Sequence, residues 1–311
     1  MSIRNKLKEN ETIYFFYKRV KLGINKIYYV TSQEKFTKKL FYKTLGYNLN
    51  LQNPKTFNEK IQWLKFNKMT QDYIDCADKY KLRNYIKEKF PQYIEYFPKL
   101  LATYKNAKEI NLNDLPNKFV LKCNHGCGFN FICTDKNHVA ISQLKKKVSR
   151  WMKTNYEYVA CESQYHYMPK IIYVEEFINS FNSKIPTDYK FYCFNGKIKI
   201  IMVCLDRIGD HASEYHYLNK KWEPLLIDKK VNLEKTKLVE KPVNYDKMVE
   251  ISENLSKSFD FVRIDFYDTE NKPIIGEMTF TPGGGIDSDY DYETDKMLGD
   301  MLKIHKNTIT D

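Results

Sequence analysis

Nowhere in these 311 residues does an apolar run reach the length of about eighteen that a membrane-spanning helix needs. The basic start MSIRNKLKENE leads only to TIYFFYKRV, too short and too charged for the apolar region of an export signal. A cytoplasmic protein is therefore expected. A disulfide framework is also missing: seven cysteines, an odd number scattered from Cys76 to Cys204, fit reduced thiols better. There is no internal repeat, no low-complexity block and no nucleic-acid-binding motif, so a nucleic-acid partner is not expected. What is there is 42% hydrophobic residues, enough for one large multi-lobed domain or two to three small ones.

The net charge of +12 is uneven, because residues 1–50 hold eleven Lys/Arg against three Glu. Aromatics interleave with these bases in IYFFYKRVKLGINKIYY. Such a stretch either forms a solvated helical face with its aromatics packed inward, or rests on an anionic membrane. Residues 1–35 are the candidate for that peripheral contact, which would hold the protein at the inner face of the membrane.

Periodicity and punctuation indicate an α+β chain. From NPKTFNEKIQWLKF through DKYKLRNYIKEKF the apolar spacing is helical, with Thr56 or Asn58 as caps and Pro91 as a stop. FVLKC then reads as a strand, NHGCGFN as a glycine-containing loop and FICTDK as a second strand. After the helical ISQLKKKVSRWMKT come strand-like KIIYVEEFI, DYKFYCFNG, KIKIIMVCLD, FDFVRIDFYD and NKPIIGEMTF, with a helix from near Tyr245 to LSKS. Asn195-Gly196 is a strong hairpin signal, so antiparallel sheets are expected. The expected divisions are a basic, mainly helical lobe over 1–115, a unit over 116–180 and a unit over 181–311.

The chemistry concentrates in FVRIDFYDTENKPIIGEMTF, two strands joined by DTENKP, with Asp265 on the first and Glu277 on the second. Pairing would put both carboxylates near one sheet face, where they repel by several kcal/mol unless protonated or bridged by a cation. Mg²⁺, which demands oxygen ligands, resolves this, and Thr279 on the same face can add a hydroxyl. The bland alternative pairs Asp265 with Arg263 and Glu277 with a surface lysine. Lys122 ends the strand before the glycine loop, where consecutive backbone N–H groups can face an anion and the ammonium can reach phosphate oxygens. Together with the EEFI strand end these parts suit a nucleoside triphosphate. The three glycines that follow Pro282, Gly283 to Gly285, are permissive and mark backbone that must approach something closely.

The runs NPKTFNEKIQWLK, DKYKLRNYI, LPNKFVLKCNHGCG, DYKFYCFNGK, LDR, FVRIDFY and GEMTFTPGGG resemble the ATP-grasp family, specifically its teichuronopeptide-biosynthesis (TupA-like) branch, across roughly residues 40 to 300. The resemblance implies an ATP-grasp fold, two α+β subdomains clasping ATP, behind a helical N-terminal lobe. It implies Lys79 and Lys122 on the ATP phosphates, the loop from His125 through Gly126 and Gly128 to Asn130 folded over them, and Glu175, Glu176, Phe177 and Ile178 as the adenine hinge. Asp188 would meet the ribose. Asp265, Glu277 and Thr279 would hold two Mg²⁺ ions, with Thr279 standing where many relatives have Asn. Lys190, Arg207 and Arg263 would face the γ-phosphate and the substrate, and the PGGG backbone would approach the transferred group. The implied activity is carboxylate–amine ligation through an acyl phosphate, on a small-molecule or lipid-linked glycan of a capsule, O-antigen or wall polymer. A metal-dependent glycosyltransferase, suggested by Asp287, Asp289 and Asp291, and an ATP-dependent sugar kinase are the alternatives.

Overall fold

The protein's structure, a computed structural model, describes residues 11–178, 187–205, 214–228 and 231–305, and only the backbone of 11–16 and 18. Arg207 lies outside the described residues. Two basic helices come first, α1 (Glu11–Thr31) and α2 (Gln33–Leu45), the second capped by Ser32 and ended by Gly46 at φ 81°. α3 (Phe57–Asn67) starts at Thr56, not Asn58: the Thr56 hydroxyl accepts from the Glu59 amide at 3.2 Å and the Glu59 carboxylate accepts from the Thr56 amide at 3.0 Å. Asn58 instead turns its side chain to Asp295 and to the Asp287 carbonyl. α4 (Gln71–Ala77) and α5 (Leu82–Lys89) follow, and a 3₁₀ turn at Pro91–Tyr96 takes over where Pro91 stops the helix.

Two antiparallel sheets carry the rest. The first has the order β1-β4-β2-β3, built from β1 (Leu100–Tyr104), β2 (Phe119–Cys123), β3 (Asn130–Cys133) and β4 (Ile172–Glu176). β1 lies before residue 116 and still joins this sheet, against β4. Period-2 alternation divides its faces: Phe119, Leu121, Cys123, Ile172 and Val174 pack with Leu144 and Val148 of α6 (Ile141–Met152), while Lys122, Tyr173 and Glu175 fall on the other face. α7 (Glu157–Ala160) lies between α6 and β4.

The second sheet has the order β7-β6-β5-β8-β9: β5 (Asp188–Phe194), β6 (Lys197–Leu205), β7 (Glu214–Leu218), β8 (Phe261–Asp268) and β9 (Pro273–Thr279). The hairpin joining β5 to β6 turns at Asn195 (φ 49°) and Gly196 (φ 77°), the positive-φ pair the dipeptide calls for. α8 (Leu233–Lys237) follows β7. Phe191, Val203, Ile264, Phe266 and Met278 pack on one face against Met248, Ile251 and Leu255 of α9 (Tyr245–Ser256) and against Leu82 and Ile86 of α5. Side chains of this kind contribute about 1.5–3 kcal/mol each when fully buried. The opposite face is split. Tyr192, Phe194 and Phe261 lie under α3 and under Leu298 of α10 (Tyr292–Met301), with Phe57 edge-on to Phe261 at 4.9 Å. The other half of that face is charged and open. From the helical lobe, α3, α4 and α5 brace both faces of the second sheet.

α10 meets α3 at Gly299, where an added Cβ would collide with the Lys55 carbonyl and crowd Thr56 and Phe57. Gly→Ala inside a helix ordinarily gains about 1 kcal/mol. We expect the opposite sign for Gly299→Ala, a loss of about 1–3 kcal/mol in urea unfolding, because overpacking against backbone has no side chain to yield.

Candidate active site

The open half of the second sheet faces the first sheet across a cleft of about 240 Å³. Register brings its acids together: Lys190 pairs opposite Asp265, and Asp265 opposite Glu277. A β-bulge at Gly276 makes this possible. Ile275 points into the core opposite Phe266, so regular alternation would send Glu277 the same way; the extra residue turns Glu277 to the cleft. Glycine suits the bulge, since a Cβ there would sit 3.2 Å from the Tyr267 ring and 3.3 Å from the Asp265 carbonyl.

Side-chain cations bridge the carboxylates. Arg263 donates from Nε and Nη2 to the two Asp265 oxygens, each at 2.7 Å, and reaches Glu277 at 3.3 Å and Thr279 at 3.2 Å. Lys190 links Asp188 to Asp265 at 2.6 Å each. Lys79 binds Glu277 at 2.7 Å. Of the ion pairs the sequence allowed, Asp265 does pair with Arg263, yet Glu277 pairs with a lysine that lines the cleft, not a surface one. Burial works against every one of these charges. It is outweighed at Glu277 by Lys79 first and Arg263 next, which hold its carboxyl well below the usual range, and at Lys190 by Asp265 and Asp188, which raise its ammonium.

Lys79 sits on the turn between α4 and α5, held there by Asp78. That carboxylate accepts from the Tyr80 and Lys81 amides and from Asn124 Nδ2 at 2.8 Å, tying the Lys79 turn to the glycine loop. Lys122 also lines the cleft and contacts Glu175 at 2.7 Å.

Other expected positions are placed differently. His125 is buried away from the cleft: its Nε2–H donates to the Trp151 carbonyl at 3.1 Å and its ring lies 5.5 Å from Phe129. It shapes the loop, and burial lowers its pKa to about 4. Gly126, where a Cβ would strike the Phe129 and Tyr156 rings, and Gly128 at φ 71° do line the cleft. The Glu175 side chain is buried between Lys122 and Arg83, the latter at 2.5 Å, so it orients cations. Glu176 is still in the ladder and accepts from the Lys99 amide at 2.8 Å; the backbone leaves the sheet only at Phe177 and Ile178. The PGGG backbone makes its close approach to protein, not to the cleft. Gly283, Gly284 and Gly285 all have positive φ, and the Gly284 carbonyl accepts from Gln62 Nε2 and Lys65 Nζ, each at 3.0 Å. Asp291 caps α10 by accepting from the Thr294 amide.

Arg83 was not foreseen. DKYKLRNYI shows it four residues after Lys79, one helical turn away, but nothing in the sequence couples it to Glu175 ninety-two positions on.

Among the described residues no three His, Cys, Asp or Glu side chains gather as a ready metal cage. Two carboxylates and a hydroxyl, all oxygen donors, still fit Mg²⁺, which keeps waters and substrate phosphates as its other ligands. Four cations line the cleft, Lys79, Lys122, Lys190 and Arg263, against three acids, Asp188, Asp265 and Glu277, and this balance favours an anion.

The family model for TupA-like ATP-grasp proteins matches residues 59–303. The chain belongs to that family. As a TupA-like ATP-grasp protein it is an ATP-dependent ligase. Comparison with curated proteins finds no match. Solved structures similar to it include the D-alanine–D-alanine ligase of Bacillus anthracis (15% identity, 74% of this chain and 67% of that one, TM-score 0.43). The same enzyme of Helicobacter pylori is 15% identical over 80% and 67% at 0.39, and a RimK-domain ATP-grasp protein of Sphaerobacter thermophilus 11% over 74% and 68% at 0.39. This TupA-like chain thus spans about two thirds of their length, and these distant likenesses leave the family match to carry the assignment.

His125 generates a pH prediction. Its folded pKa of about 4 lies below the unfolded 6.5, so its contribution is present above pH 6.5 and lost as pH falls towards 4. Urea unfolding across that window should show His125→Gln losing roughly 3 kcal/mol less than the parent; parallel curves would mean that the ring is protonated in the fold.

Proposed function

We propose that the protein ligates a carboxylate to an amine through an acyl phosphate, joining an amino acid or amino sugar to a uronic-acid-containing surface glycan or its precursor. The observation that carries this reading is the register that sets Lys190, Asp265 and Glu277 side by side, facing Lys79 and Lys122 across the cleft. A carboxylate is a poor electrophile. In the proposed sequence its oxygen attacks the γ-phosphorus of ATP, the bond from that phosphorus to the β-phosphate oxygen breaks, and ADP leaves. The amine nitrogen then attacks the acyl carbon, phosphate departs with the former carboxylate oxygen, and the nitrogen loses a proton.

The chain's own residues bind and orient in this scheme. Lys79 and Lys122 would hold phosphate oxygens, and Lys190 and Arg263 would meet the negative charge growing on the transferred group. Arg207 is proposed for the same work from outside the described residues. Asp188 is proposed at the ribose, and Phe177 and Ile178 at the adenine edge. Asp265, Glu277 and Thr279 would hold Mg²⁺, whose chemistry is neutralisation of phosphoryl charge. The acceptor is proposed to be soluble or lipid-linked, the latter reached by peripheral contact of the N-terminal helices with the inner face of the membrane.

The assay that tests the reaction is nucleotide consumption with paired substrates. ADP and free phosphate should appear only when a uronic acid and an amine are both present. ADP with phosphate retained on the sugar would make the protein a kinase, and UDP released from a UDP-sugar a transferase. Glu277→Gln should lower turnover about a hundredfold or more, the loss expected of a deleted transition-state contact. Because Glu277 pairs with Lys79, that variant should also be less stable by about 1 kcal/mol, not more stable as bare carboxylate repulsion would have it. Normal turnover with early unfolding would make Glu277 structural.

A further inference from the structure

α1 presents three faces. One is packed: Asn25 Nδ2 donates to the Tyr158 carbonyl at 2.7 Å, and Leu22 and Tyr29 sit with Phe36 and Tyr158. A second points outward and is apolar. Tyr17, Val20, Ile24, Ile27 and Tyr28 are all exposed, Ile27 by 66%, and at 3.6 residues per turn they fall in one stripe about 100° wide. The third face walls a groove of about 770 Å³ shared with α6 and the segment after it.

Cations make up half of the residues that line that groove. Arg19 and Lys26 enter from α1, and Lys146, Arg150 and Lys153, spaced one helical turn apart, from α6 and its C-cap. Lys170 lies at its base, its ammonium already donating to the Met152 and Thr154 carbonyls and to Asn155 Oδ1. No acid is among the described residues that line it. The groove shares no residue with the ATP cleft.

An exposed apolar stripe marks an interaction surface, and a groove whose described lining holds cations and no acid marks an anionic partner. A nucleic acid would use the groove and ignore the stripe, and an apolar protein partner the reverse. An anionic bilayer uses both, since a helix lying in the interface buries its apolar face while neighbouring Lys and Arg meet lipid phosphates. We propose that this face docks on an anionic bilayer, with the α1 stripe entering the acyl boundary and the α1–α6 groove holding lipid headgroup phosphates. The inference deepens the peripheral-contact part of the proposed function: the footprint is a built groove that includes α6, more than a hundred residues beyond the basic N-terminus. It does not depend on the ligase chemistry.

The test is co-sedimentation of the full chain with vesicles of mixed phosphatidylglycerol and phosphatidylcholine, against vesicles of phosphatidylcholine alone. Lys146→Ala/Arg150→Ala/Lys153→Ala should bind the anionic vesicles about a hundredfold more weakly. Val20→Ser/Ile24→Ser/Ile27→Ser should lose about tenfold or more. Lys197→Ala/Lys199→Ala/Lys221→Ala removes the same charge from exposed positions on β6 and the turn after β7 and should lose about threefold at most, since distant charges are screened. Lys146→Arg/Lys153→Arg, which keeps the charge, should bind as the parent does, and unchanged thermal midpoints separate lost binding from lost folding. Three outcomes overturn the proposal: no preference of the parent for phosphatidylglycerol, an equal loss in the control triple, or full binding by the stripe triple. The last, with inorganic diphosphate binding in the groove, would assign it to a soluble anion.

Discussion

Three carboxylates on one face of one sheet would repel each other, by about 4 kcal/mol for two unit charges 4 Å apart at the effective dielectric of a protein surface. Asp188, Asp265 and Glu277 are held on the face of the second sheet by interleaved cations: Lys190 between the first two, Arg263 across the last two, Lys79 on Glu277 from outside the sheet. The rest of the molecule follows from keeping this array assembled and open to solvent. β5, β8 and β9 fix its register, the Gly276 bulge turns Glu277 into it, and Asp78 moors the Lys79 turn to the loop beyond Lys122. The array is also poised for exchange, because a phosphate can take the lysines and a divalent cation the carboxylates without either partner being left buried and unpaired.

The N-terminal helices make that exchange possible by covering only half of the sheet face. α3 seals the Tyr192, Phe194 and Phe261 end with Phe57, and the positive-φ glycines after β9 let the chain press against Gln62 and Lys65 of the same helix. Glu162 accepts from the Thr281 hydroxyl at 2.6 Å behind this contact; burial raises its carboxyl pKa, with Lys65 opposing. Hydrogen bonds between groups buried at such a junction fix how α3 meets the chain after β9.

Much of the cleft was legible in the sequence because strand alternation and hairpin turns are local. Asn195-Gly196 set the β5–β6 hairpin, period-2 spacing put Lys122 on the face opposite Leu121, and the FVRIDFYD and PIIGEMTF runs placed Asp265 beside Glu277. What was not legible needed knowledge of what lies across space. His125 beside two glycines looked like a phosphate contact, yet Trp151 and Phe129 draw its ring inward. The ion pairs of Glu175 with Arg83 and Lys122 were equally out of reach. The glycines after Pro282 did mark a close approach, but to α3, and only tertiary packing decides what fills such a space. Carboxylate repulsion within one hairpin was legible, but not the lysines that offset it, Lys190 and Lys79, which come from two other segments.

Nucleotide and metal, as proposed, would replace the protein's own ion pairs in this cleft and so would bind together. The most direct measurement is the affinity for Mg²⁺ by calorimetry, without nucleotide and with a saturating non-hydrolysable ATP analogue, after subtracting binding to the free analogue. The account predicts weak binding alone, because Arg263, Lys190 and Lys79 occupy the carboxylates, and an increase of about tenfold or more with the analogue, within the usual range of site-to-site coupling. Equal affinity in both states, or tight Mg²⁺ binding to the protein alone, would contradict it.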